Sequence, residues 1–255
     1  MRIDAHVRIG VQREAELSPE LLLARMDEFD IDCALIAPAE GQIAYYNREG
    51  NDAVIAASAR SGGRLLAYAV ATPWSGRAAV TELRRAQDGG ARALCVDSAL
   101  QGFDLLDGTI EPLLAVAAEA GWPVYVRTGT PPGHLPLPTA TLARRHPELS
   151  FVMGRSGATD FWADAGPALR SAENLYGDTS YAPWDTLLSG LAADPEIGAK
   201  RLLFATDQPY ATVAGEVARI ADWPLSDDDR AAVFGGTLLS LLGEARVPSS
   251  APERL

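Results

Sequence analysis

The chain has 255 residues, of which 47% are hydrophobic and 22% are charged. This length fits one parallel α/β barrel or two smaller domains, and the composition is that of an ordinary globular protein rather than a disordered chain. The 34 Asp and Glu residues outnumber the 22 Lys and Arg residues, which gives a net charge of −12. Because no basic face is segregated along the sequence, this charge excludes nucleic acid and anionic membranes as expected partners.

The N-terminal segment lacks the basic and apolar runs of a signal peptide, and no run approaches the roughly 18 apolar residues of a membrane helix. We therefore expect a cytoplasmic protein. Cys33 and Cys95 lie in hydrophobic runs, and their spacing matches neither a zinc site nor a disulfide framework. Both are predicted to be reduced thiols, and for Cys95 a packed core position is favoured over a nucleophilic role.

Short β-rich runs alternate with longer amphipathic runs along the whole chain, which is the pattern of repeated strand–helix units around a parallel sheet. The β-rich runs are apolar on both faces, as expected of strands that helices cover. We predict eight strands, at Arg2–His6, Cys33–Pro38, Leu65–Thr72, Ala91–Val96, Pro123–Thr128, Ser150–Gly154, Asn174–Thr179 and Arg201–Asp207.

The helices are predicted from their start signals and periodicity. Ser18-Pro19-Glu20 places an N-cap, a proline and an acid at the start of a helix that runs to about residue 29. Near the other end, Ser226 begins a helix that Gly235-Gly236 interrupts and Thr237–Leu242 completes. The remaining helical runs cover about residues 50–60, 77–88, 110–120, 138–146, 161–172, 184–193 and 213–221.

These elements predict an α/β fold, a single (β/α)8 barrel over residues 1–243, followed by a flexible tail over residues 244–255. A doubly wound open sheet is the main alternative. It is disfavoured because no glycine-rich phosphate turn follows an early strand.

Four of the predicted strands carry distinctive motifs at their ends. The motifs are Ile3-Asp4-Ala5-His6-Val7-Arg8, Gly121-Trp122-Pro123-Val124-Tyr125-Val126-Arg127-Thr128-Gly129, Phe151-Val152-Met153-Gly154-Arg155-Ser156-Gly157 and Arg201-Leu202-Leu203-Phe204-Ala205-Thr206-Asp207-Gln208-Pro209. In this order they resemble strands one, five, six and eight of the amidohydrolase-2 branch of the amidohydrolase superfamily, which contains metal-dependent hydrolases and decarboxylases. The resemblance implies a barrel whose site lies at the C-terminal ends of the strands.

Arginine occupies three positions where the resemblance implies a metal-binding histidine, namely Arg8, Arg127 and Arg155, whereas Asp207 matches the family's strand-eight aspartate. A guanidinium stays protonated and has no lone pair for a metal ion. Because His6 and Asp207 alone are too few ligands for a closed or catalytic metal site, we predict that the protein has no metal and no other cofactor.

Arginine does bind planar anions, because its fork of N–H groups makes paired hydrogen bonds to a carboxylate. We predict that Arg8, Arg127 and Arg155 form a cradle for a small anionic molecule, together with Asp97, which stands where the family has a histidine, and His134 in the loop after strand five. The alternative is that the arginines pair inside the barrel with the aspartates Asp97, Asp178 and Asp207.

His6 and Asp207 are the predicted proton-transfer residues, because His6 lies in the first motif and the family uses the strand-eight aspartate in this role. The alternatives are a neutral, hydrogen-bonded imidazole for His6 and an arginine partner for Asp207. Aromatic residues that follow strands or begin helices on the same side are candidates for the wall of an aromatic pocket: Tyr45, Tyr46, Trp74, Phe161, Trp162, Tyr181, Trp184 and Tyr210.

Two classes of function fit these residues. The favoured hypothesis is a metal-independent enzyme of this family that acts on a small carboxylated substrate, aromatic or cyclic, with hydrolysis favoured over decarboxylation, elimination or cyclisation. The alternative is a non-catalytic descendant that binds a small anionic metabolite or a protein partner. The sequence leaves the substrate and the oligomeric state open, including a homo-oligomer.

Overall fold

Eight parallel strands pair side by side in the order in which they occur in the chain, and they form a nearly closed barrel with helices around it. The computed structural model describes residues 1–129, 133–158, 160–182 and 184–243. The barrel strands are β1 (Ile3–Arg8), β2 (Cys33–Ala37), β3 (Leu65–Ala69), β4 (Ala93–Val96), β5 (Val124–Arg127), β6 (Phe151–Gly154), β7 (Leu175–Asp178) and β8 (Leu202–Leu203).

The α-helices lie between the strands and after the last one. They span Pro19–Glu28, Glu40–Ala44, Asn47–Arg60, Arg77–Asp88, Ser98–Gln101, Glu111–Ala120, Pro136–Arg145, Ala165–Ser171, Asp185–Ala193, Val213–Asp222, Asp227–Ala231 and Thr237–Leu242. Short 3₁₀ turns occupy Pro73–Ser75, Arg155–Gly157, Trp162–Asp164 and Ala199–Arg201, and a π turn occupies Ala232–Gly236. A small antiparallel hairpin joins Gly10–Val11 to Glu16–Leu17.

The barrel closes between its first and last strands through the segment that follows β8. The backbone N–H of Ala5 donates to the carbonyl of Phe204 at 2.9 Å, and that of Arg8 donates to Gln208 at 2.9 Å. In the opposite direction, the N–H of Asp207 donates to the carbonyl of His6 at 3.1 Å. Residues near the end of β1 and after β8 are therefore held together at one mouth of the barrel.

Two hydrophobic layers follow from the alternation of side chains along the strands. In β2, Ala34 and Ile36 pack with helix residues such as Leu22, whereas Cys33 and Leu35 belong to a smaller cluster with residues from the other strands. This smaller cluster fills the barrel interior, and its members are fully or almost fully buried. The C-terminal helix adds Leu238 and Leu242 to it.

The predicted barrel and its strand–helix order are confirmed, and the differences lie at the ends of elements. β1 runs to Arg8, two residues beyond the predicted end, and β8 pairs with β7 only over Leu202–Leu203. The predicted N-caps at Ser18 and Ser226 both form, because each side chain accepts a hydrogen bond from the backbone N–H three residues on. The predicted tail over residues 244–255 lies outside the described residues.

Candidate functional site

The sequence-predicted site residues meet at the C-terminal mouth of the barrel. Arg8 and Arg127 end β1 and β5, Arg155 follows β6 directly, and Asp97 and Asp207 follow β4 and β8. Arg8, Asp97 and Asp207 are completely buried, and Arg155 is 6% exposed. Five positions that are widely separated in sequence therefore form one buried charged cluster.

Arg8, Asp97 and His134 form the first half of this cluster. The Nη2 of Arg8 donates to Asp97 Oδ2 at 2.7 Å, and the Nε2 of His134 lies 2.6 Å from Asp97 Oδ1. Asp97 is held in place because its side chain also accepts from the backbone N–H of Leu100 and caps the helix Ser98–Gln101. This carboxylate neutralises Arg8 and connects it to His134.

Arg155, Asp207 and His6 form the second half in a parallel way. The Nε and Nη2 of Arg155 both donate to Asp207 Oδ2, at 2.8 and 2.5 Å, and Asp207 Oδ1 lies 3.2 Å from His6 Nδ1. Arg155 and Asp207 both have positive φ, 61° and 49°, a backbone conformation that side chains other than glycine rarely adopt. Such strained backbone is common at functional sites and here aims both side chains into the mouth.

Arg127 lies between the two halves and forms only long ion pairs with them. Its Nε is 3.9 Å from Asp97 Oδ2 and its Nη1 is 3.9 Å from Asp207 Oδ1, which are distances too long for hydrogen bonds. Within the described ranges, Arg127 Nη1 is buried without a hydrogen-bond partner, and 12% of the side chain is exposed. The guanidinium therefore has hydrogen-bonding capacity to spare at the barrel mouth.

The two aspartates that pair with Arg8 and Arg155, namely Asp97 and Asp207, are ionised. Burial alone would raise the pKa of Asp207, but Arg155, the contact with His6 and Arg127 together lower it well below its usual range. For Asp97, burial likewise opposes ionisation, and His134, Arg8 and Arg127 lower its pKa far below the usual value. Each carboxylate therefore stays negative at neutral pH and neutralises one arginine.

His6 is neutral at the same pH. Burial lowers its pKa to about 4, although the neighbouring Asp207 favours the protonated ring. The ring stacks on Tyr125, with the centroids 4.2 Å apart and the planes 4° from parallel. The hydroxyl of Tyr125 in turn donates to Asp178 at 2.9 Å, which fixes the plane against which His6 packs.

Among the described residues, Asp178 differs from Asp97 and Asp207 because it pairs with no guanidinium. Its Oδ1 accepts from the backbone N–H of Arg155 at 2.7 Å and from Ser180, and its Oδ2 accepts from Tyr125. Of the expected internal pairs, Arg8 with Asp97 and Arg155 with Asp207 form at hydrogen-bonding distance. Arg127 makes only long ion pairs, of 3.9 Å, with Asp97 and Asp207.

Two site residues were not identified from the sequence. Tyr125 lies inside the strand-five motif, but nothing in the motif shows that its ring stacks on His6. Glu40 begins a short helix after β2, and its Oε1 accepts from the Tyr210 hydroxyl at 2.7 Å and lies 3.6 Å from Arg8 Nη1. Its position soon after a strand end was the one available signal.

The aromatic residues at the mouth are partly gathered as expected. The Tyr181 ring lies 3.9 Å from the Arg155 guanidinium carbon, and the Tyr210 ring lies 5.8 Å from that of Arg127. Trp162 and Trp184 pack edge to face, with their centroids 5.1 Å apart. Aromatic surface therefore borders the two arginines that retain some exposure.

Cys95 is a core thiol, as predicted. It is 1% exposed and belongs to the cluster that fills the barrel. Burial raises its pKa to about 12, even with Arg8 nearby, so the thiol is protonated and unreactive at neutral pH.

The donors at this mouth do not fit a divalent cation. Oδ2 of Asp207 is committed to Arg155 and Oδ2 of Asp97 to Arg8, and Arg127 brings a further positive charge 3.9 Å from both carboxylates. Within the described ranges, no group of three or more His, Cys, Asp or Glu side chains is placed to hold a metal ion. The buried atoms that lack hydrogen-bond partners include guanidinium donors, Nε and Nη1 of Arg8 and Nη1 of Arg127, and these suit an anion.

Comparison with known proteins identifies the family. The amidohydrolase family profile matches residues 3–243, so the chain belongs to the amidohydrolase family. No functionally curated protein matches it. No helix among the described residues is long and apolar enough to cross a membrane.

The fold resembles solved structures of low sequence identity. A 2,6-dihydroxybenzoate decarboxylase complexed with 2,6-dihydroxybenzoate is 17% identical, with a TM-score of 0.74 over 95% of this chain and 99% of that one. A 5-carboxyvanillate decarboxylase from Novosphingobium aromaticivorans, complexed with manganese and a nitrobenzoic acid, is 16% identical, with a TM-score of 0.75 over 95% and 96%. A putative amidohydrolase from Staphylococcus aureus is 15% identical, with a TM-score of 0.75 over 95% and 99%.

Proposed function

We propose that this protein binds a small carboxylated molecule through Arg127 at the barrel mouth and transforms it without a divalent metal ion. The observation that carries the proposal is the state of Arg127, whose guanidinium is nearly buried yet lies 3.9 Å from each neighbouring carboxylate. A buried guanidinium without hydrogen bonds is costly, and a bound carboxylate would satisfy it with two parallel hydrogen bonds.

The hydrogen bonding of the arginines supports one anion rather than several. Arg8 donates to Asp97 and Arg155 donates to Asp207, whereas Arg127 lies 3.9 Å from both carboxylates, which leaves its N–H donors for the ligand. In the predicted cradle of three arginines, Arg127 is therefore the main ligand-binding residue. Arg8 and Arg155 can donate to the ligand only through the N–H groups that do not already bind an aspartate. The substrates named for the structural relatives are carboxylated aromatics. The rings of Tyr181 and Tyr210 beside Arg155 and Arg127 suit a ligand of that kind.

Proton transfer falls to His6 with Asp207 beside it. Nε2 of His6 has no hydrogen-bond partner among the described residues, and Asp207 lies next to the other ring nitrogen. In this arrangement His6 Nε2 accepts a proton from a water that attacks the substrate's acyl carbon, and Asp207 stabilises the imidazolium that forms. The imidazolium then returns the proton to the leaving alcohol or amine as the acyl C–O or C–N bond breaks. Arg127 orients the substrate carboxylate meanwhile. This scheme is hydrolysis, in which a base is needed first.

Decarboxylation is the second candidate, because the solved relatives with named activities are decarboxylases of aromatic acids. In decarboxylation the carboxylate leaves the ring carbon as CO2 and a proton takes its place, so the reaction needs an acid. Asp207 has a lowered pKa and His6 is neutral, so neither is poised to donate a proton. A non-catalytic binding protein is the third outcome, and the complete burial of His6 and Asp207 favours it.

Calorimetric titration with benzoate and 2,6-dihydroxybenzoate tests the binding site. Arg127→Ala is expected to weaken binding by about 1.5–3 kcal/mol, or about 10- to 150-fold, the size of a charge-assisted hydrogen bond. Arg84→Ala is the matched control, because the one acidic partner of Arg84 in the described part of the chain is Glu119 at the surface. Equal affinities of the Arg127 variant and the wild type would overturn the proposed site.

Turnover and metal content test the rest of the proposal. Release of CO2 from the aromatic acids would identify a decarboxylase, whereas cleavage of small carboxylated esters, lactones or amides would identify a hydrolase. Elemental analysis of the purified protein is expected to find less than one equivalent of transition metal, and chelators should leave any activity unchanged. Stoichiometric manganese or zinc that is lost together with activity would contradict metal independence.

A further inference from the structure

Glu40 is a fourth acidic side chain at the barrel mouth, beside Asp97, Asp178 and Asp207, and it makes only a long ion pair with Arg8. The Nη2 of Arg8 already pairs with Asp97 at 2.7 Å, whereas Glu40 Oε1 lies 3.6 Å from Arg8 Nη1, beyond hydrogen-bonding distance. The Glu40 side chain is 23% exposed, while that of Asp97 is 1% exposed. Glu40 is therefore the negative group at the mouth that faces the entrance.

Two hydrogen bonds hold the Glu40 carboxylate in place. The hydroxyl of Tyr210 donates to Oε1 at 2.7 Å, and the backbone N–H of Arg13 donates to Oε2 at 3.4 Å. In addition, the backbone N–H of Glu40 donates to the side chain of Gln12 at 3.0 Å, which anchors the start of its helix to the segment after β1. The carboxylate is thus positioned rather than free to swing into solvent.

Tyr210 links this carboxylate to the proposed ligand position. Its ring lies 5.8 Å from the Arg127 guanidinium carbon and 5.7 Å from that of Arg155, while its hydroxyl binds Glu40. A single tyrosine side chain therefore spans the distance between Arg127 and Glu40. A molecule bound by Arg127 therefore lies close enough to Glu40 to be affected by its negative charge.

We propose that Glu40, positioned by Tyr210, makes the site selective for monocarboxylates over dicarboxylates. This inference rests on the proposed binding of a carboxylate by Arg127. One carboxylate satisfies the free N–H donors of Arg127. A second carboxylate on the same small molecule lies near the negative Glu40 rather than near another unpaired cation, and is repelled. Like charges several ångströms apart at a protein surface repel strongly enough to change affinity by about tenfold or more.

The test compares benzoate with the three benzenedicarboxylate isomers by calorimetric titration at one pH and ionic strength. For the wild type, the affinity for benzoate is expected to exceed that for the most weakly bound dicarboxylate isomer by at least about tenfold. Glu40→Gln keeps the shape and removes the charge, so it should bring that ratio close to one, mainly by tightening the dicarboxylate. Tyr210→Phe keeps the ring, releases the carboxylate and should reduce the ratio in part.

Glu49→Gln is the control, because it removes the same charge from an exposed position on the neighbouring helix and should leave the ratio unchanged. If benzoate binds through Arg127 but Glu40→Gln leaves the ratio unchanged, this inference is wrong and the proposed function stands. If wild type and Arg127→Ala bind no member of the set, or bind it equally well, the proposed function fails and the inference fails with it.

Discussion

A histidine and an arginine differ at a barrel mouth in what they offer to a ligand. Neutral imidazole gives a lone pair to a metal ion, whereas guanidinium gives only N–H donors and a permanent positive charge. In this chain, two of the three arginines are neutralised by Asp97 and Asp207, which in effect makes those arginines part of the framework. Arg127 differs from both, because it lies 3.9 Å from each of these carboxylates and hydrogen-bonds to neither.

The Arg155–Asp207 pair leads to a prediction about stability. Asp207→Asn should lower the free energy of unfolding by about 3–5 kcal/mol, because it leaves the guanidinium of Arg155 buried without its counter-charge. Urea denaturation measures this loss. Asp194→Asn, which breaks the more exposed pair with Arg170, should cost at most about 1 kcal/mol. Similar losses of unfolding free energy in both variants would show that the buried Arg155–Asp207 pair contributes no more to stability than the exposed pair.

The sequence was informative about which residues reach the site and less so about their partners. Strand-end motifs were enough to bring Arg8, Arg127 and Arg155 to one mouth, because parallel strands end together. Whether each arginine is paired depends on distances of one or two ångströms, and the pattern of residue types does not encode these. Glu40 was not identified, because its role depends on a contact with Tyr210 from the opposite end of the chain.

At the level of elements, the site depends on close packing between neighbouring strands β5 and β6. Gly154 ends β6 with ordinary backbone angles, φ −62° and ψ 137°, so its role is steric. A Cβ at this position would lie well inside van der Waals contact with the ring and hydroxyl of Tyr125. Tyr125 supports His6 by stacking and binds Asp178, so a glycine on one strand makes room for a tyrosine that positions a histidine from another.

Gly154→Ala is therefore expected to destabilise the protein by about 1–3 kcal/mol, the typical cost of overpacking a core. It should also disturb the stacking of Tyr125 on His6. Thermal or urea unfolding gives the stability, and near-UV circular dichroism reports the tyrosine environment. Gly190→Ala is the control, because its Cβ meets no atom within 4 Å in the helix Asp185–Ala193 and should be neutral or slightly stabilising. A neutral Gly154→Ala would contradict the packing argument.

In the eighth strand, the sequence pattern does not predict which neighbouring strand each residue pairs with. The apolar run over residues 201–207 predicts one continuous strand, but only Leu202–Leu203 pairs with β7. After these two residues the chain bonds to β1 instead, through Phe204, Asp207 and Gln208. Residues 202–207 are completely buried throughout, so burial alone does not show where the chain changes its partner.

For the whole molecule, the repeated strand–helix pattern predicted a parallel α/β fold, and the strand-end motifs that resemble the amidohydrolase-2 branch favoured a closed barrel. Neither the pattern nor the motifs specify which acidic groups become buried. Asp4 and Glu216 are 0% and 3% exposed. Burial raises the pKa of Asp4 to about 7, against the hydrogen bonds from Thr206, and raises that of Glu216 to about 8, against the attraction of Arg219.

These two raised pKa values predict that stability falls as the pH rises from about 6.5 to 8. In this range the folded protein holds protons on Asp4 and Glu216 that the unfolded chain has already released, so each pH unit costs up to about 1.4 kcal/mol per group. His6 acts in the opposite direction, because its pKa is lowered from 6.5 to about 4, but most of its contribution has been gained by pH 6.5. Above that pH, His6 therefore offsets only a small part of the fall.

Unfolding free energies from urea denaturation at pH 6.5, 7.5 and 8.5 test this prediction. In Asp4→Asn the amide oxygen can still accept the backbone N–H groups of His6 and Thr206 that bond to Asp4 Oδ1, and the side chain no longer titrates. The fall in stability should therefore shrink to the share of Glu216, and Glu216→Gln should remove that share in turn. A surface change, Asp194→Asn, should leave the slope as it is in the wild type. If the wild type is equally stable at all three pH values, Asp4 and Glu216 are ionised in the folded protein and burial does not control their charge.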